Sequence, residues 1–208
     1  MKETQPAKTL CVLLFSIAAA VVVSTDLWSK HAVFEFLGVK TITQNGLPYV
    51  SPYTQDPCEL SPNFFWLEAN YNHGAFSGWF SGHTTALATV SVVALLLILA
   101  VFLFSLRKGS MPEKLFALAM GLLWGGAAGN LYDRALLGGV RDWIRWHVRI
   151  DGEYPLRSWG INPWPNFNVA DAAICVGVAL LIIREIRVAW IKRSSVQTNG
   201  RPARTRAC

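Results

Sequence analysis

The chain has 208 residues, enough for one domain, with 52% hydrophobic and only 15% charged residues. That apolar excess argues against an ordinary soluble protein. The formal net charge of +6 is not read as a nucleic-acid signal, because the basic residues gather at the ends of apolar runs and report membrane topology.

Residues 1–8 form a polar lead carrying Lys2 and Lys8. The first apolar run, 9–25, follows, and its basic lead resembles that of a cleaved signal peptide. Asp26, Trp28 and Lys30, however, occupy the place where a small-residue cleavage site belongs, so the run is read as a retained anchor. Asp26 and Lys30 are four apart and share a helix face. They form either a surface ion pair with Lys30 snorkelling or a structural clamp or substrate contact. Ser29 beside Lys30 has the composition of a Ser-Lys nucleophile, but adjacent helical residues face different ways.

Residues 31–83 form a long external segment with four prolines. Its pieces 47–50 and 63–71 read as strands between turns. Phe64, Phe65, Trp66, Trp79 and Phe80 fit either a small sheet or a helix lying on the membrane interface. Asn72 precedes Gly74 in a turn-like pairing that points an amide toward a site. His73 and His83 lack zinc-ligand spacing, and the chain contains no HExxH. No metal is expected.

The run 84–106 has no charge and spans 23 residues, long enough to cross a bilayer. The run 115–132 follows a short hairpin and carries Gly121, Gly125 and Gly129, the spacing that lets membrane helices approach closely. Asn130, Asp133 and Arg134 share one face if that helix continues, and Arg134 offers a charge-assisted partner to Asp133 or to a neighbouring carboxylate. An external loop, 135–168, holds Asp142. The last run, 169–183, begins after Asn168, an N-cap residue type, and places Asp171 in its first turn, where the helix end favours a carboxylate. The basic tail 191–208 lacks a hydrophobic pattern and is expected to be disordered.

These runs predict an all-α membrane protein: four transmembrane helices with a small extracytoplasmic β-rich or interfacial segment. Twelve of the nineteen Lys and Arg fall at the two termini and in the loop between the second and third runs. Those parts are therefore cytoplasmic. Cys11 and Cys175 lie within apolar runs, Cys208 is terminal, and Cys58 alone is external, so no disulfide framework is read.

Asp26, Lys30, Asn72, Asn130, Asp133, Arg134, Asp142 and Asp171 then converge on one side of the membrane from segments distant in sequence. Ionisable groups embedded near membrane helices mark a functional site by default. Two close carboxylates share a proton: the ionised member takes a proton from water and the protonated one donates to a carbonyl oxygen. Asp142 and Asp171 are the best pair for peptide hydrolysis. Structural ion pairing is the alternative role for these groups, and a non-catalytic small transporter or assembly factor the alternative function.

Five motifs in order, TDLWSK (25–30), YNHGAFS (71–77), GGAAGNLYDR (125–134), VRDW (140–143) and FNVADAA (167–173), resemble lipoprotein signal peptidase, or signal peptidase II. The resemblance covers roughly residues 9–190 and makes that span a four-helix membrane peptidase domain. It implies an aspartic endopeptidase of the bacterial inner membrane that cuts just before the lipidated cysteine of diacylglyceryl-modified prolipoproteins. Asp142 and Asp171 match the catalytic pair. Asp26, Lys30, Asn72, Gly126, Asn130, Asp133, Arg134, Asn168 and Ala170 match substrate-binding or site-supporting positions. Among these, Asn72, Asn130 and Arg134 look like contacts to substrate carbonyls, and Asp26, Lys30 and Asp133 look supportive. Diacylated prolipoprotein, membrane lipids and cyclic peptide inhibitors are the implied partners, with no cofactor and no nucleic acid. The chain departs from the family pattern where Phe76 follows Ala75, and both external segments are long.

Overall fold

The computed structural model describes residues 5–51, 54, 56–61, 63–74, 83–107, 114–150, 153 and 164–199. Four helices, α1 (Gln5–Phe36), α2 (Thr84–Arg107), α3 (Lys114–Leu137) and α4 (Val169–Asn199), alternate in direction. The end of α1, the start of α2, the end of α3 and the start of α4 therefore meet at one end of the bundle, and the strands follow there. α1, α2 and α3 are each long and apolar enough to cross a membrane. A 24-residue helix rises about 36 Å at 1.5 Å per residue. α4, at 31 residues, is one residue shorter than α1, but Asp171, Arg184, Glu185 and Arg187 interrupt its apolar run.

α3 is the hub, packing against α1, α4 and α2. Its glycines explain how. A β-carbon on Gly121 would lie 2.5 Å from the Phe15 carbonyl oxygen. On Gly125 it would lie 2.8 Å from the Ala19 carbonyl oxygen, and on Gly129 2.5 Å from the Asp26 carboxylate. One glycine stripe thus admits α1 along its length, as the four-residue spacing predicts. Gly126 faces the other way: a β-carbon there would meet the Ala170 carbonyl oxygen at 2.5 Å, so it seats the first turn of α4. Away from the site, Cys11, Phe15, Phe102, Ala117 and Met120 form an apolar core, with Phe15 and Phe102 stacked at 4.3 Å.

Two small sheets cover the polar end. β1 (Thr41–Gln44) and β2 (Leu47–Val50) form a hairpin. Its Asn45-Gly46 turn has positive φ at both residues, the two-residue geometry that matches strand twist. β3 (Cys58–Ser61), β4 (Phe65–Asn72) and β5 (Val140–Trp146) form an antiparallel sheet in the order β3-β4-β5. The described part of the segment after α1 is therefore built largely from strands, as expected for 47–50. Trp79 and Phe80 lie outside the described residues.

Three boundaries differ from the sequence reading. α1 does not end with the segment 25–30 but runs to Phe36, since no proline or glycine interrupts it there before Gly38. There φ is +56° and the Gly38 and Val39 amides close the last turn on Glu35 and Phe34. Asp142 lies on a strand rather than a loop, because α3 stops at Gly138 (φ +76°) and the chain returns immediately as β5. The expected disorder after Trp190 is also corrected: α4 continues to Asn199, a stretch with neither proline nor an internal glycine to break it. Residues 200–208 lie outside the described residues.

Candidate active site

The site is built where β5, β4 and the first turn of α4 meet the ends of α1 and α3. Cross-strand register sets Asn70 opposite Asp142 and Asn72 opposite Val140. Alternation then leaves Asn72 diagonal to Asp142 on the same face, and its amide donates to Asp142 Oδ2 at 3.1 Å. The other end of Asn72 accepts the Gly74 amide at 3.0 Å. This side-chain turn fixes which end of the amide faces the carboxylate.

Asn168 joins the two aspartates. Its side-chain oxygen accepts the Asp171 amide at 2.9 Å, and the Asp171 carboxylate accepts the Asn168 amide at 3.2 Å. This reciprocal pair caps α4 as an N-cap with its N3 partner. The Asn168 amide group meanwhile donates to Asp142 Oδ1 at 2.7 Å and to Asn130 Oδ1 at 3.0 Å. Asn130, one helix away, donates to Asp171 Oδ1 at 2.7 Å. Both carboxylates are thus held by asparagines, a neutral donor set that does not force either to be ionised.

Asp142 is 1% exposed. Burial and then the charge of Asp171 push its carboxyl up to about 8, against the bonds from Asn72 and Asn168 and the more distant Lys30, which pull it down. A carboxyl so placed keeps its proton at neutral pH.

Beneath the aspartates lies a buried ionic layer. Asp26, Lys30 and Asp133 are all 0% exposed. Lys30 Nζ lies 2.7 Å from Asp26 Oδ2, 3.3 Å from Asp133 Oδ2 and 3.1 Å from Asn130 Oδ1. The Ala170 amide donates to Asp26 Oδ1 at 2.9 Å, so α1 helps cap α4. Lys30 therefore does not snorkel at the surface. It is a clamp, and the longer α1 is the reason. Ser29 bonds the Asp26 carbonyl oxygen and is no partner of Lys30.

Of the two partners expected for Arg134, Asp133 is corrected. Asp133 pairs with Arg141, whose Nη2 lies 2.8 Å from Oδ1 and whose backbone N–H lies 3.0 Å from Oδ2. Arg134 instead donates to the Gly74 carbonyl oxygen at 3.2 Å while its charge acts on Asp171 and Asp142. Arg141 was missed by the sequence reading. Strand alternation, which puts residue 141 on the face opposite Asp142, is the signal that marks it once 140–146 is a strand and not a loop. Among the described residues no group of three or more His, Cys, Asp or Glu is arranged to hold a metal ion.

A family model for signal peptidase II matches residues 18–187. A lipoprotein signal peptidase of Rhodopirellula baltica is 32% identical over 192 residues, covering 86% of this chain and 74% of its own. One of Anaeromyxobacter is 30% identical over 190 residues, covering 82% of this chain and 83% of its own. A solved bacterial membrane enzyme superposes with a TM-score of 0.60 at 26% identity, over 82% of this chain and 86% of that one. With the match running from the middle of α1 through the capped start of α4, the chain belongs to the signal peptidase II family.

Proposed function

We propose that this chain is a membrane-embedded aspartic endopeptidase that removes the signal peptide from diacylglyceryl-modified prolipoproteins, cutting just before the lipidated cysteine. The observation that carries the reading is the single residue, Asn168, bonded to both aspartates. Asp171 begins a helix, where the dipole favours a carboxylate. It acts as the base that takes a proton from water. The resulting hydroxide adds to the scissile carbonyl carbon while Asp142, protonated at neutral pH, donates its proton to the carbonyl oxygen. Asp171 then passes the proton it took from water to the amide nitrogen, and Asp142 recovers its proton from a hydroxyl of the tetrahedral intermediate. Cleavage of the C–N bond frees the lipidated cysteine amine and leaves the signal peptide with a carboxyl end. Neither step calls on a metal or cofactor.

α4 serves as a fourth span. The positive-inside pattern puts both termini in the cytoplasm and the site at the outer leaflet of the bacterial inner membrane. Residues 9–190 form the catalytic domain, with the short lead 1–8 and tail 191–208 outside it. Membrane lipids surround the site, and cyclic peptide inhibitors of the family are expected to occupy it. Among the described residues the buried polar groups gather at one end of the bundle rather than along a path through it, which disfavours a transporter.

The test is a gel-shift cleavage assay with a diacylated precursor in detergent. Asp142→Asn and Asp171→Asn are each expected to abolish cleavage while membrane insertion persists. Normal cleavage by either variant would refute the role given to that residue.

A further inference from the structure

We infer that Arg141 is a positioning residue of the peptidase reaction: it clamps β5 to α3 and so sets where Asp142, the next residue, meets Asp171. The inference rests on the catalytic reading of Asp142 above. Arg141 reaches Asp133 with its main chain and its guanidinium together. Its N–H donates to Oδ2 at 3.0 Å, Nε lies 3.3 Å and 3.2 Å from Oδ1 and Oδ2, and Nη2 donates to Oδ1 at 2.8 Å. Asp133 is fully buried on α3, and the Arg141 side chain is only 14% exposed. Such a fork fixes direction as well as distance.

The chain between the two partners makes the clamp necessary. α3 and β5 are joined through Gly138 and Gly139, and Gly138 sits in the left-handed region, so the turn itself offers little stiffness. Pairing with β4 and the amides of Asn72 and Asn168 hold Asp142 from its own face of the strand. The Arg141 fork holds the opposite face.

Charge balance extends the effect to the second aspartate. Two buried carboxylates, Asp26 and Asp133, face two cations, Lys30 and Arg141. Without Arg141, Lys30 is, among the described residues, the cation left in ion-pair contact with both. Lys30 also bonds Asn130, whose amide holds Asp171. Drawing Lys30 toward Asp133 loosens that bond, so removing one arginine disturbs both sides of the reacting pair.

The experiment measures kcat and KM for the diacylated precursor with full-length R141M, R141K and D142N enzymes in detergent, beside the folded fraction from thermal unfolding. Misplacing reacting groups by about 1 Å costs on the order of 100-fold in rate. R141M is expected to lose about 10- to 100-fold in kcat per folded enzyme with KM within about twofold, because Arg141 is spent on Asp133, on the face of β5 opposite Asp142. R141K, which keeps the charge but not the fork, is expected to recover part of kcat. Should R141M fail to fold, R141K alone decides, by a kcat below that of the native enzyme. A lower unfolding temperature with kcat per folded enzyme unchanged would overturn the inference and leave Arg141 a structural residue only. D142N separates the two readings. An active D142N enzyme defeats the catalytic assignment. A dead D142N beside an R141M of undiminished kcat defeats only the role of Arg141.

Discussion

Asn168→Ala tests the joint between the two aspartates most directly. Asn168 is wholly buried, and the substitution removes its bonds to Asp142, Asn130 and the Asp171 amide. The bond to Asp142 stabilises the ionised carboxylate and pulls its titration down from where burial and Asp171 would set it. A hydrogen bond to a charged group is worth about 1.5–3 kcal/mol net, and one pKa unit corresponds to about 1.4 kcal/mol. Losing the bond therefore raises the Asp142 carboxyl by roughly one to two units. In the proposed mechanism Asp142 works in its protonated form, so native activity is expected to fall as pH rises through about 8. In Asn168→Ala that alkaline limb moves upward by roughly the same one to two units. The lost N-cap costs about 1 kcal/mol of stability besides. The assay is kcat/KM for the diacylated precursor against pH, which reports groups titrating in the free enzyme, with thermal unfolding in the same detergent. An active Asn168→Ala enzyme whose alkaline limb stays in place would refute the argument. So would a limb that moves toward lower pH.

Two further predictions address the layer beneath. Lys30→Met leaves Asp26 buried without its nearest cation and should cost about 3–5 kcal/mol, the usual penalty for an uncompensated buried charge. Denaturation in micelles measures it, and the double substitution Asp26→Asn with Lys30→Met should recover much of the loss. Gly125→Val places a β-carbon 2.8 Å from both the Ala19 carbonyl oxygen and Val22 Cβ. Overpacking of that kind costs about 1–3 kcal/mol, so the variant should unfold at lower temperature and Gly125→Ala should be the milder of the two.

Much of this molecule is written in local pattern. Long uncharged runs read as membrane helices, because a chain of 208 residues has no core large enough to bury several helices that are apolar on every face. The glycines every four residues on α3 mark a close approach whatever the partner turns out to be. Asn168 and Asp171, three apart at the head of a helix, form a cap by spacing alone. For these features the relevant neighbours are a few residues away along the chain, and sequence order supplies them. The tertiary structure decided the pairings. Nothing local could show that Asp133 takes Arg141 rather than the adjacent Arg134, since that choice depends on β5 folding back across two glycines. Nor could it show that Lys30 is buried against two carboxylates, or that Asn72 reaches Asp142 diagonally across two strands that are 70 residues apart in sequence. Which acid meets which base is set by the packing of distant segments, and the strength of a buried charge pair depends on that distance and on excluded water rather than on position in the chain.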